Sequence, residues 1–276
     1  MRIPDDILEE YLDILRLSGV TEGHIKEVKR ALQNYQKYIL FRLDKVKSIQ
    51  YFKKLQKENS IAYYKKQMYQ IKKFLKHLKC DWVEEIQLPK NPEYTPKRIS
   101  LEDIKDTIEY FKDNPHFLQI KALVLLGASS GLRAEELYQL NQEDINLKMR
   151  KVNINHNPIN NQSTKTCKTR VSFFSKEAKT SIQEYYDFFR NGCSYLKLFP
   201  QTTLTSLFKS APIRVKYLRK FFSQEWDRRS GPTSIKKILM GHSLKGDVDL
   251  QHYNCQSEED LKQIYDRVFG CHKITQ

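Results

Sequence analysis

The sequence predicts a mainly α-helical chain with one small antiparallel sheet, an α+β fold in two domains. Three observations lead there. Apolar residues recur at helical spacing through the first 88 residues, three prolines crowd into residues 87–96, and only residues 150–174 change to a strand-like pattern. The expected division is a helical domain over 1–88, a linker over 89–99 and a second domain over 100–276.

The elements follow in order. Ile7 to Leu17 is amphipathic and stops at Gly19, and Thr21 is placed to cap a long helix reaching about Phe41. A basic helix follows, and then Ile61, Tyr64, Met68, Ile71, Leu75 and Leu78, spaced 3, 4, 3, 4, 3, mark one buried helical stripe. Pro89, Pro92 and Pro96 break the helical run, because proline removes a donor and disfavours helix in the residue before it. Ser100 with Asp103 has the form of a capping box. Helices are expected at 101–112, 116–127 and about 133–141, with a turn at Ser129-Ser130-Gly131. Val152, Ile154 and His156 alternate, Asn157 to Asn161 is turn-rich, and Val171 to Phe174 is β-prone, so a hairpin or three-stranded sheet is expected. Further helices are expected at 175–190, 213–228, 233–240 and after Ser257, where Ser257 and Asp260 repeat the capping-box pattern.

Charge narrows the partner. The chain holds 48 Lys and Arg against 33 Asp and Glu, a formal net charge of +15, which favours a polyanion and nucleic acid first. From Lys26 to Lys79 there are 16 basic residues against Glu27, Asp44 and Glu58, with Tyr35, Tyr38, Tyr51, Tyr63 and Tyr69 interleaved. A solvated lysine face is the plain alternative for one helix. Three consecutive basic helices favour a surface that follows a phosphate backbone, with Lys65, Lys66, Lys72, Lys73 and Lys76 as its candidate DNA contacts. No run of 18 apolar residues exists to span a membrane, and the first residues lack the apolar core of a signal peptide. A cytoplasmic protein associated with the nucleoid is therefore expected. The five cysteines form no C-x-x-C pair and read as reduced thiols. His242, His252, Cys255 and Cys271 fit no standard zinc spacing, and no metal is expected.

Four pieces carry chemistry in chain order. Gly131-Leu132-Arg133-Ala134-Glu135-Glu136-Leu137 places an arginine at a helix start, braced by Glu136 one turn on; alone, it would pass for an ordinary ion-paired helix start. Thr164 to Arg170 is a basic turn between strands, the kind of hairpin tip that is often only solvated. Lys216-Tyr217-Leu218-Arg219 puts Lys216 and Arg219 on one helix face. Met240-Gly241-His242 comes last, with Tyr253 eleven residues after the histidine.

The ordered set Gly-Leu-Arg-x-x-Glu-Leu, hairpin lysine, x-x-x-Arg on a helix, Gly-His and tyrosine resembles the tyrosine recombinases, the phage integrases. The resemblance covers roughly 97–270, and the basic helical section is similar in kind to that family's core-binding domain. It implies that the two domains clamp double-stranded DNA, working as a homotetramer on paired sites while possible as a monomer in solution. Arg133 and Arg219 match the arginines that hold the scissile phosphate, and Glu136 supports the first. Lys165 matches the lysine that protonates the leaving 5′-oxygen, with Lys168 as second choice. His242 matches the histidine, and Tyr253 the nucleophile that forms a 3′-phosphotyrosine. Lys216 stands where many members have histidine, a replacement similar to integrases of archaeal viruses and plasmids. Tyr265 competes for the nucleophile's place, but Leu261, Ile264, Tyr265 and Val268 have the spacing of a packed helix face.

These residue types suit phosphodiester exchange. Arginine forks match phosphate oxygens in a crowded, more negative transition state. A tyrosine of ordinary pKa, about 10, attacks only when a base or cationic surroundings help remove its proton. His242 or Lys216 could give that help, or hold a phosphate oxygen. The bond energy is kept in the covalent intermediate, so neither ATP nor any cofactor is expected. Two other readings remain open: strand relaxation like that of a type IB topoisomerase, and a DNA-binding protein of this fold that has lost activity. The chain's length and the Gly-Leu-Arg-x-x-Glu box favour the recombinase over the first, and Lys216 is what invites the second.

Overall fold

The computed structural model describes the chain apart from residues 1–3, 91, 92, 94, 158, 160, 161, 190–196, 244–255, 271–273, 275 and 276. Two compact units divide at the proline-rich stretch, Met1–Pro96 and Lys97–Gln276.

Among its described residues the first unit holds four α-helices: α1 (Asp5–Leu17), α2 (Glu22–Tyr38), α3 (Lys45–Glu58) and α4 (Ile61–His77). Asp44 and Ser60 cap α3 and α4 through their side chains, whereas Thr21 stands at the start of α2 without such a bond. Leu12, Val28, Leu32, Tyr35, Ile71 and Phe74 form the centre of its core. On α4 the expected stripe is buried at Tyr64, Met68, Ile71 and Leu75, but Ile61, the first residue of the helix, is exposed.

The second unit is built on α6 (Phe117–Ser130), eleven of whose fourteen residues are buried. Around it lie α5 (Leu101–Tyr110), α7 (Ala134–Gln139), α8 (Lys176–Phe189), α9 (Gln201–Leu207), α10 (Lys216–Arg228), α11 (Thr233–Met240) and α12 (Glu258–Phe269). The three-stranded sheet runs in the order β1 (Ile145–Asn146), β2 (Lys151–Ile154), β3 (Arg170–Phe173), antiparallel throughout, with Ile154 opposite Arg170. The capping boxes at Ser100 and Ser257 are both formed.

Three expectations are corrected. Ser129 and Ser130 are helical, since burial leaves their hydroxyls to donate to the carbonyls of Leu125 and Leu126 one turn back. The turn is Gly131 alone, at φ 68°. Helix α7 ends at Gln139, because Leu140 is extended and its carbonyl accepts from the Leu198 amide. Helix α9 was not anticipated. Among the described residues no helix is long and apolar enough to cross a membrane.

A second apolar cluster in this unit supports the region that matters chemically. Phe173 of β3, Phe222 and Trp226 of α10, Leu239 and Met240 of α11, and Tyr265 and Phe269 of α12 pack together. This cluster fixes the end of α11 relative to β3 and α10.

Candidate phosphate-binding site

The site is built where four elements end or begin. Helix α6 stops at Gly131 in the left-handed region, and a Cβ there would stand 2.5 Å from the Phe222 ring, so only glycine fits. Two residues on, Arg133 is extended at the start of α7, its amide donating to Glu136 Oε2 at 2.8 Å. Since α7 has only six residues, its dipole offers little, and charge at this corner comes from the guanidinium.

Helix α11 ends at Gly241, φ 64°. Three successive carbonyls at this end, which the helix itself cannot satisfy, each accept from a different arginine. Arg170 Nε donates to Leu239 O at 3.0 Å, Arg219 Nη1 to Met240 O at 2.8 Å, and Arg133 Nη2 to Gly241 O at 3.0 Å. Arg219 Nη1 also reaches Gly131 O at 2.7 Å, tying the end of α6 to the end of α11. Residues more than a hundred apart in sequence thus converge on one helix terminus.

Glu136 is the counter-charge. Its side chain is 2% exposed and accepts from Arg133 Nη1 at 2.8 Å and from Arg170 Nη1 and Nη2 at 3.0 and 2.7 Å. Burial would raise its carboxyl, but the hydrogen bonds and charge of Arg170, with those of Arg133, outweigh burial and bring it to about 2. One carboxylate among three guanidiniums leaves an excess of positive charge. Burial, then the like charge of Arg133, pushes Arg219 down to about 10, still cationic at neutral pH. Among the described residues its Nε and Nη2 have no hydrogen-bond partner, so they are available to an oxyanion.

His242 follows directly, its amide donating to Lys237 O at 3.0 Å. Burial first, then Arg219, Arg133, Lys236 and Arg170, lowers its pKa below the ordinary 6.5. The imidazole is therefore neutral at pH 7, and one ring nitrogen can accept a proton.

The remaining sequence candidates are placed as follows. Lys165 and Lys168 are exposed near the tip of the β2–β3 hairpin, where the Thr164 hydroxyl bonds both the amide and the carbonyl of Lys168. Lys216 is exposed at the start of α10, its ammonium 5.2 Å from the Tyr217 ring centre; Lys97 and Lys220 approach the same ring at 5.5 and 6.0 Å. Tyr253 lies outside the described residues, as do the 244–249 stretch and His252, Cys255 and Cys271. Tyr265 is fully buried, donates to Ser129 O at 2.8 Å, and burial pushes its pKa far above the usual range.

On α4, Lys66 pairs with Glu27 at 2.7 Å and Lys76 with Glu84 at 2.6 Å, while Lys72 donates to Ile86 O and Lys73 lies 5.0 Å from the Tyr69 ring centre. Lys65 is half-buried, so these five lysines are unequally presented to solvent. No group of three His, Cys, Asp or Glu able to hold a metal occurs among the described residues.

Arg170 has no expected role from the sequence. Its signal was the alternation along β3, which sets Arg170 and Ser172 on the face opposite Val171, together with Glu136, a carboxylate next to Leu137 in a short helix that one arginine would satisfy only in part.

A buried carboxylate flanked by three guanidiniums, on a mainly helical unit with a small sheet, has the chemistry to hold an oxyanion. The phage integrase family pattern matches residues 97–245, more than half of the chain, and the chain belongs to that family. It is 25% identical over 277 residues to the tyrosine recombinase XerA of Pyrococcus horikoshii, covering 98% of this chain and 92% of that one. To the tyrosine recombinase XerC of Histophilus somni it is 32% identical over 108 residues, 39% of this chain but only 34% of that relative's length. Among solved structures, lambda integrase (residues 75–356) bound to DNA superposes with a TM-score of 0.71 at 12% identity, covering 99% of this chain and 100% of that one. The Tn1549 transposon integrase in complex with circular intermediate DNA gives 0.65 at 13% identity, covering 93% and 98%. At these identities the structural likeness establishes the fold alone.

Proposed function

We propose that this chain is a site-specific DNA recombinase that cuts and rejoins strands through a covalent 3′-phosphotyrosine. The observation that carries the reading is the convergence of Arg133 and Arg219 on the end of α11, immediately before His242.

The scissile phosphate sits against the free donors of Arg219 and the guanidinium of Arg133. As the Tyr253 oxygen attacks phosphorus, negative charge grows on the non-bridging oxygens. The arginines stabilise that charge without reorganising, because backbone carbonyls and Glu136 already hold them. Tyr253 loses its proton to His242, whose neutral ring has acceptor capacity. The bond from phosphorus to the 5′-oxygen breaks, and Lys165 on the hairpin gives that oxygen a proton. Attack by a 5′-hydroxyl on the phosphotyrosine reverses each step and reseals a strand, so the reaction consumes no nucleotide. Lys216, with Lys97 and Lys220 around Tyr217, holds backbone phosphate beside the site. Residues 1–88 act as the core-binding domain, whose lysines contact the phosphate backbone, and four copies assemble on paired sites. The lysine in place of histidine at Lys216, together with an archaeal relative, supports a mobile-element integrase of the archaeal branch.

The test is adduct formation. A nicked duplex that loses a short fragment after cleavage is incubated with the protein in chelator, and the denatured products are resolved. A covalent protein–DNA species is expected. It disappears in Tyr253→Phe and persists in Tyr265→Phe. An adduct surviving Tyr253→Phe overturns the nucleophile, and binding without any adduct leaves a DNA-binding protein.

A further inference from the structure

We infer that Arg170 is a positioning residue of the strand-transfer site, holding Glu136 and the end of α11 where the Arg133–Arg219 pair needs them. The inference rests on the function proposed above.

Arg170 is the first residue of β3 and its side chain is 9% exposed. Its three nitrogens are all committed inward, two to the Glu136 carboxylate and one to the Leu239 carbonyl. It therefore presents no free fork to a phosphate and acts through other groups. One set is Glu136, which in turn fixes both the amide and the guanidinium of Arg133. The other is the last turn of α11, whose next two carbonyls orient Arg219 and Arg133. A Cβ on Gly241 would lie 2.7 Å from Arg170 Nε, so the guanidinium lies directly against this backbone. That contact gives the glycine before His242 a reason independent of its left-handed φ.

The location of Arg170 also matters. It stands five residues after Lys165 on the strand leaving the hairpin. One side chain thus joins the base of the hairpin carrying the proposed acid to the arginines that bind phosphate. Lysine cannot replace it. A single ammonium cannot make a bidentate contact and also reach the Leu239 carbonyl with fixed geometry.

Two measurements test this. Hydrogen exchange on the protein alone, wild type against Arg170→Lys, reads positioning without any reaction. Loss of protection confined to the Gly241 and His242 amides is expected, while α6 and α12 keep theirs. Single-turnover adduct formation reads the consequence. A misplacement on the order of 1 Å can cost about 100-fold, so a fall of about 10- to 100-fold in rate at unchanged DNA affinity is expected. With an uncharged methylphosphonate at the scissile position, that deficit shrinks, because less charge then needs stabilising; a merely loosened fold would slow both substrates equally. Glu136→Gln, which keeps the side chain's shape, should reproduce the same pattern if Arg170→Lys does not fold. Unchanged protection at the end of α11, or equal deficits on both substrates, overturns the inference. Wild-type protein that forms no adduct overturns the proposed function, while the exchange result still decides the role of Arg170.

Discussion

Glu136 is a buried carboxylate whose energy depends entirely on its two arginines. Removing one partner of a buried pair leaves an uncompensated charge, so Glu136→Ala should destabilise the protein by roughly 3–5 kcal/mol, measured by denaturant unfolding. Its folded pKa, about 2, lies below the reference value of 4.5. The stabilisation it supplies is thus complete above 4.5 and is lost as pH falls from there through 2. His242 behaves differently. Its folded pKa is depressed below 6.5, so stability falls as pH drops below 6.5, where the unfolded chain takes up the proton more readily than the folded one. A ring-proton titration of His242 should give a pKa below 6.5 in the free protein and a higher one when vanadate occupies the arginines. A pKa of 6.5 or above in the free protein, or no change with the anion, would contradict the site as drawn. Gly241→Ala forces both a left-handed alanine and a clash with Arg170, and should lower Tm while leaving helix content intact.

At the level of elements, the site depends on how α6, α10 and α11 end or cross, and the cluster around Trp226 sets those ends. Trp226 is fully buried, and its indole donates to Pro232 O at 3.1 Å. Trp226→Ala should cost about 3–5 kcal/mol in unfolding experiments and slow adduct formation by displacing α11. Helix α12 is fastened to its own unit by Tyr265, Phe269 and an ion pair between Arg150 and Asp266. Much of this could be read in advance, because capping boxes at Ser100 and Ser257, the proline break and the period-two stretch are all local signals. Other features were not local. Ser129 and Ser130 look like turn residues until burial on α6 makes helix the only way to satisfy their hydroxyls. Helix α9 carries three threonines and a serine in seven residues, a composition that masks a helix held by tertiary packing at Leu204. Arg133, Glu136, Arg219 and His242 were legible because each sits in a short motif. Arg170 was not, since its partners are 34 and 69 residues away.

For the whole molecule, a net charge of +15 makes long-range attraction to DNA unavoidable, so affinity should fall steeply with salt. The α4 lysines sharpen this. Lys73 is exposed and has no acidic partner among the described residues, and Lys73→Ala should reduce the slope of log affinity against log salt by about 1. Lys66 already neutralises Glu27, so its removal should change the slope less.

On the function proposed above, this basic, arginine-centred site passes DNA through a covalent bond to one tyrosine. The most direct measurement is mass spectrometry of the trapped adduct after digestion of protein and DNA. A nucleotide joined through its 3′-phosphate to Tyr253 is expected. Attachment at Tyr265 or any other residue, or no attached nucleotide where DNA is bound, would contradict it.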